Sequence, residues 1–181
     1  LDVEPVLKQL AQRGELWDVV TIRQDFPSSP HRMTRTIYLR GPEKFTFHDY
    51  QEELTSLDYW TLEELAPSVV PLMREVLVDI LDCKEVGRAM IVGLSAKGTV
   101  APHIDEGKYA DHFHRFHICL RGGPKSTLTV GGKTVSMKPG ELWWFNHKNA
   151  ACAKLGSLRA ARERRLASCY FCVGRNKVSR L

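Results

Sequence analysis

His112-Phe113-His114-Arg115-Phe116-His117-Ile118-Cys119-Leu120 is the stretch on which the fold turns. In an extended chain successive side chains project to opposite faces. His112, His114 and Phe116 therefore share one face, and Phe113, Arg115 and His117 share the other. A guanidinium on a face that turns inward needs an anionic partner, because an unpaired buried charge is costly. An internal Asp or Glu is one such partner. A bound dicarboxylate, gripped by two parallel N–H···O contacts, is the other.

Strand patterns continue on both sides of this stretch. Ala89-Met90-Ile91-Val92-Gly93-Leu94 precedes it. Ser126–Val130 and Lys133–Met137 follow, joined by Gly131-Gly132, the composition of a two-residue hairpin turn. Pro139-Gly140 leads into Glu141-Leu142-Trp143-Trp144-Phe145. Further upstream, Trp17–Arg23 and Thr36–Arg40 are β-branched or aromatic runs that read as strands, with the loop Pro27–His31 between them. Helical spacing occurs at Val3, Val6, Leu7 and Leu10. It recurs from Pro67 to Cys83, where Val70, Met73, Val76, Leu77, Ile80 and Leu81 form a stripe expected in the core. Short strands at regular spacing with two amphipathic helices predict a mainly β domain, an antiparallel barrel or sandwich with helices outside.

Two further segments could carry chemistry. His103-Ile104-Asp105 puts an imidazole and a carboxylate on one face of an extended backbone, two legs of a three-ligand Fe(II) site whose third leg is a distal histidine. By itself His-x-Asp also suits an exposed polar loop. Glu141–Phe145 continues through Asn146 to His147, and its aromatics suit packing as well as ligand contact. Zinc is not the expected metal, because no cysteine stands at suitable spacing from the histidines.

Taken in order, His103-x-Asp105, Gly107-Lys108-Tyr109, His114-Arg115-Phe116-His117-x-x-Leu120 and Gly140-Glu141-Leu142-Trp143-Trp144-Phe145-Asn146 resemble the aspartyl/asparaginyl β-hydroxylase family. Ser29-Pro30-His31 and Ile37-Tyr38-Leu39-Arg40 extend the resemblance over about residues 10–148. It implies a double-stranded β-helix of the jelly-roll or cupin type. It also implies an Fe(II)- and 2-oxoglutarate-dependent dioxygenase that uses O2 to hydroxylate an Asp- or Asn-type side chain in a protein, peptide or small molecule. His103 would be the proximal iron ligand and Asp105 the carboxylate ligand. Arg115 would hold the distal carboxylate of 2-oxoglutarate with His117 beside it, and Trp144 would line the cavity.

The end of the chain departs from that pattern. The family's distal iron histidine falls six residues beyond Phe145, where this chain has Ala151. His147 is the remaining candidate ligand, and it lies only two residues beyond Phe145. Leu158–Ala167 reads as a short basic helix in place of a strand, so the last strands of the barrel are expected to be lost or altered. Charge changes at the same junction. Of 26 Lys/Arg and 21 Asp/Glu in all, eight and one lie in residues 149–181, leaving 18 and 20 before them. The near-neutral body and basic tail are expected to form one oxygenase-like domain over 1–181, with 149–181 atypical. Reading the degenerate codons one base downstream allows Pro-His-Ala at Ala150–Cys152 and a β-like run at Leu166–Cys172. A shifted frame from about Lys148 is therefore the expected origin of the tail. If the frame is shifted, loss of the distal iron histidine leaves a hydroxylase of impaired activity or a non-catalytic ligand-binding barrel.

The composition narrows the remaining classes. No apolar run approaches the roughly 18–20 residues of a membrane span. Five cysteines, an odd number, and a start without a secretory pattern predict a reduced, cytoplasmic setting. The Cys169-x-x-Cys172 pair in the atypical tail is read as coincidence. Nucleic-acid binding would fall to Arg159, Arg162 and Arg165, and the body carries no pattern that supports it.

Overall fold

Hydrophobic periodicity and turn chemistry divide this chain between helices that precede the barrel and strands that build it. The computed structural model describes residues 1–95, 97–123, 125–155 and 166–174, with backbone alone at 154–155 and 166–174. In chain order the elements are α1 (Glu4–Gln12), α2 (Ile22–Asp25), β1 (Thr34–Gly41), α3 (Phe47–Glu52), β2 (Leu57–Asp58) and α4 (Trp60–Arg74). They continue with β3 (Val86–Leu94), β4 (Thr99–His103), α5 (Lys108–His112), β5 (Phe113–Arg121), β6 (Ser126–Val130) and β7 (Lys133–Val135). The last three are β8 (Leu142–Trp144), β9 (Ala151–Leu155) and β10 (Leu166–Gly174).

All pairings are antiparallel, and they make two sheets. The larger has the order β2-β1-β3-β10-β5-β8 and the smaller β4-β9-β6-β7. Alternation gives the larger sheet two unlike faces. Ile37, Leu39, Ile91, Phe116, Ile118 and Leu120 join one apolar cluster with Val6 and Leu10 of α1 and Leu65, Val69 and Leu72 of α4. The opposite face looks into the space between the sheets and carries Met90, Val92, Arg115 and His117. This is the jelly-roll, cupin-like architecture with flanking helices. The Gly131-Gly132 turn forms as expected, with both glycines at positive φ (54° and 79°), the geometry a two-residue hairpin requires.

Four expectations are corrected. Trp17–Arg23 is not a strand: the segment turns at Asp18, whose φ is 61°, and enters α2. Asp18 instead caps the start of β1, donating its N–H to the Thr36 carbonyl and accepting the Thr36 N–H on its carboxylate. The long helix begins at Trp60, seven residues earlier than its sequence pattern, and its last turn, Glu75–Ile80, is π-helical. Val76, Leu77 and Leu81 are buried; Ile80, within the widened turn, is about half exposed, and so is Val70, which stands off the Leu65, Val69 and Leu72 face of the regular helix. The final strands are present as backbone. β10 lies between β3 and β5, with Tyr170 opposite both Met90 and His117. Of the basic segment Leu158–Ala167, residues 158–165 lie outside the described residues, and Leu166 and Ala167 belong to β10.

One buried arginine fixes the helical wall at the barrel mouth. Arg88 on β3 is 2% exposed. It donates to the carbonyls of Tyr50 (2.5 Å), Glu53 (3.1 Å) and Asp49 (3.2 Å) at the C-terminal end of α3. Its guanidinium lies between the rings of Tyr109 (3.8 Å) and Tyr50 (4.4 Å). The cation serves the negative end of a short helix that could not persist alone. Arg88→Leu takes the donor from the Tyr50 and Glu53 carbonyls, while that of Asp49 keeps the Glu53 N–H; it should cost about 2–3 kcal/mol, lowering Tm by roughly 4–12 °C in thermal denaturation. An unchanged Tm would show that α3 is held by other contacts.

Candidate active site

β4 and β5 enter the space between the sheets from opposite sides, and this brings the sequence-marked residues together. His103 is the last residue of β4, and Asp105 follows it on the loop into α5. Ile104 between them turns out and is 50% exposed, as alternation requires. His103 Nδ1 donates to the Ala101 carbonyl at 2.8 Å, which fixes the tautomer and leaves the Nε2 lone pair bare. That nitrogen stands 3.6 Å from Asp105 Oδ1. Two acceptors at this separation, too far apart for a hydrogen bond, suit a cation between them. The other Asp105 oxygen forms an ion pair with Arg115 Nη1 of β5. The internal-carboxylate partner anticipated for Arg115 is therefore Asp105, itself a candidate metal ligand.

The third leg of the metal site is where the structure departs from completeness. Ala151, at the start of β9, is the Cα partner of His103 across the β4–β9 pairing. Directly opposed residues on adjacent strands share a face with their Cβ atoms about 5 Å apart. The slot that faces His103 thus holds only a methyl group. His147 is 3% exposed and lies away from both cavities described below; its Nε2 donates to the Ala110 carbonyl at 2.7 Å. Its own carbonyl accepts the Asp105 N–H at 3.4 Å, so His147 braces the Asp105 loop and is not brought to His103. Among the described residues no group of three His, Cys, Asp or Glu converges on one point. The donors present fit a metal ion with two ligands and leave the third position empty of any donor.

Trp144 also differs from expectation. It pairs with Phe116, while Trp143 pairs with His117. It therefore lies on the helix side of the sheet, 43% exposed, edge-on to His114 at 5.9 Å. Phe145, one residue further, lines the cavity and meets His117 edge-on at 4.8 Å.

Two cavities meet at this centre. The inner one, about 930 Å³ with its open side included, lies between the sheets and is lined by Val92, Leu94, Leu128, Met137 and Phe145, with His117 at its wall. The outer one, about 1080 Å³ by the same measure, is bounded by α2, α3 and α5. Arg23, His31, His103, Asp105 and Arg115 line both, and so form the neck between them. Arg23 and His31 were not singled out as site residues from sequence. By sequence pattern Arg23 falls at the end of a strand, and His31 carries no signal beyond its place in Ser29-Pro30-His31. His31 meets His103 edge-on at 4.8 Å.

Burial and two guanidiniums keep the imidazoles neutral. Burial, then the fields of Arg115 and Arg23, holds His117 down at about 3. Burial, then Arg23, His103 and Arg115, lowers His31 well below the usual range. His103 is lowered by burial despite its bond to Ala101, and His147 is lowered to about 4 by burial despite its bond to Ala110. A neutral imidazole is the form that ligates a metal. The same shifts set acid stability. Each of these groups binds a proton in the unfolded chain near pH 6.5 but not in the folded one, so folding is favoured above that pH. The stability is lost as pH falls from about 6.5 towards 4 and 3. Thermal melts should show Tm falling steadily across that window, and His117→Gln should flatten the fall. A flat profile in the unmodified protein would contradict the burial of these rings.

A model of the aspartyl/asparaginyl beta-hydroxylase family matches residues 33–150 of this chain. A search among curated proteins finds no match. Among solved structures, the chain is similar to an oxidoreductase of the 2OG-Fe(II) oxygenase family from Burkholderia pseudomallei. Identity is 11% over 91% of this chain and 77% of that one, with a TM-score of 0.51. It is also similar to the cupin domain of Cnp3 from Schizosaccharomyces pombe, at 18% identity over 48% of this chain and 55% of that one, TM-score 0.37. A predicted oxalate decarboxylase from Thermotoga maritima gives 14% identity over 56% and 73%, TM-score 0.38. The chain spans about half the length of the yeast cupin domain. At 11% identity the likeness to the oxygenase is one of fold. Among the described residues no helix is long and apolar enough to cross a membrane.

Proposed function

Because this chain belongs to the aspartyl/asparaginyl β-hydroxylase family, we propose that its barrel is the site of an iron- and 2-oxoglutarate-dependent hydroxylase with only two protein ligands to its iron, His103 and Asp105. The observation that carries the reading is the neck itself, where His103 Nε2, the Asp105 carboxylate and the Arg115 guanidinium meet between two cavities. Iron and 2-oxoglutarate bound there would supply activation of O2 for hydroxylation of an unactivated carbon. The chain's own part is positioning. Ala101 holds the His103 tautomer. Arg115 offers a planar fork to the distal carboxylate, with neutral His117 beside it. The apolar walls of the inner cavity exclude water. With Ala151 in the third position, iron is held weakly and turnover is impaired. An Asp- or Asn-type side chain or a related small molecule is the substrate class the family implies.

Titration of 2-oxoglutarate into metal-free protein tests the co-substrate assignment. Binding should be measurable and should weaken by roughly 100-fold in Arg115→Gln, the loss expected for a two-pronged charged contact. Equal binding by both proteins would remove Arg115 from the role. A second reading, a non-catalytic ligand-binding barrel, is favoured by one observation: Asp105 is already paired with Arg115, so the two opposite charges of the neck balance without iron. The readings part on iron, since Fe(II)-dependent consumption of 2-oxoglutarate belongs to the first alone.

The shifted-frame origin of the chain from about Lys148 is part of the same proposal, and coding DNA tests it. A one-base shift that places histidine at 151 supports it, and any other residue there ends it. A reduced, cytoplasmic setting accords with the free thiols of Cys83, Cys119 and Cys152. The tail arginines Arg159, Arg162 and Arg165 lie outside the described residues.

A further inference from the structure

Beyond the neck, the outer cavity is not used by the co-substrate assignment. Its floor is the neck and its polar corner is Arg23, a residue of α2 that reaches both cavities. Met90 Sδ, a weak acceptor, is among the partners of the Arg23 guanidinium, 3.3 Å from Nη1, and the group presents five donors in a planar fork. Arg23 shares the neck with His31, His103, Asp105 and Arg115. The rim is of a different character. Phe26 and Phe47 both line the cavity and stack face to face, with centroids 4.1 Å apart and planes 8° apart. Phe47 is 47% exposed, and half-exposed Ile104 stands on the same rim. An aromatic ledge left in water beside a cationic pocket is the composition of a ligand site. Glu106 lines the same mouth and disfavours a second anionic group there.

We propose that the outer cavity seats the molecule to be modified, and that it selects a single carboxylate carried on an aromatic or long aliphatic group. Arg23 receives the carboxylate, and the Phe26–Phe47 ledge receives the apolar part. A carboxylate held by Arg23 brings the carbons next to it to the neck, beside His103 and Asp105. This rests on the proposed function for the reaction and takes the small-molecule alternative of its substrate class, but the binding site stands or falls by itself.

The test is equilibrium binding to the metal-free full chain, read by calorimetry or ligand-observed NMR. The probes are 3-phenylpropionate, 3-phenylpropanol, 2-oxoglutarate and a capped Gly-Asp-Gly peptide. Phenylpropionate should bind at least about tenfold tighter than the alcohol, the difference one charged contact makes, and tighter than the peptide. Arg23→Gln should abolish the preference for acid over alcohol while leaving 2-oxoglutarate binding in place, and Arg23→Lys should restore part of it. Phe47→Ala should weaken phenylpropionate and spare 2-oxoglutarate. Arg115→Gln should do the reverse. Equal binding of acid and alcohol, a preference that survives in Arg23→Gln, or tighter binding of the peptide would each overturn the inference. Failure of 2-oxoglutarate to bind, with phenylpropionate still held by Arg23, would overturn the proposed reaction and leave this site standing.

Discussion

Ala151→His should raise Fe(II) affinity by more than roughly 100-fold, since second-layer changes at metal sites alone are worth 10–100-fold and this one supplies a ligand. The geometry behind the expectation is local. Ala151 opposes His103 across β4–β9, and directly opposed side chains on one face stand close enough for two imidazoles to meet on one ion. Ala151 lines the inner cavity, so a larger side chain has space to enter. Some overpacking is expected, about 1 kcal/mol or more, visible as a small drop in Tm and no bar to the measurement. Competition with a chelator of known affinity under anoxic conditions reads the gain directly. Ala153→His is the control: it lines the same cavity but pairs with Val100 rather than with His103, so it should give far less. Equal gains from both, or none from Ala151→His, would mean that the metal does not sit between His103 and Asp105.

The second large effect concerns the ion pair at the neck. Asp105 and Arg115 side chains are 17% and 16% exposed. Removing the cation alone leaves a mostly buried carboxylate, so Arg115→Met should destabilise the fold by roughly 3–5 kcal/mol. For a chain of this size that is a fall in Tm of about 6–20 °C. Asp105→Asn combined with Arg115→Met should recover at least half of the loss, because the charge left stranded is then gone as well. A double variant no more stable than Arg115→Met would place the damage in lost packing. The same pairing implies competition. A dicarboxylate must displace Asp105 from Arg115, so Asp105→Asn should tighten 2-oxoglutarate binding in metal-free protein.

The strand residues that carry the site were legible because alternation is a backbone property. His103 and Asp105, and Arg115 and His117, fall on the inward face by period two alone, and the motif order linked them to one family. Where a residue's direction depends on its cross-strand partner, sequence was a poorer guide. Trp144 reads as cavity-lining until its register with Phe116 turns it to the helix side. His147 reads as a ligand until Ala110 takes its Nε2. Arg23 and His31 were missed for another reason. They reach the neck from a helix and a loop whose path is set by the docking of Asp18 on β1, and no local pattern encodes that contact. The π-helical turn at Glu75–Ile80 likewise turns Ile80 out of an apolar stripe that ideal helical spacing places in the core.

Succinate formation from 2-oxoglutarate under O2, followed against added Fe(II), tests the central claim most directly. The unmodified chain should turn over slowly and only at high iron, His103→Ala and Arg115→Ala should abolish the signal, and Ala151→His should raise it by an order of magnitude or more. Absence of iron-dependent succinate in both the unmodified chain and Ala151→His, with 2-oxoglutarate still bound, would contradict the account and leave the barrel a ligand-binding protein.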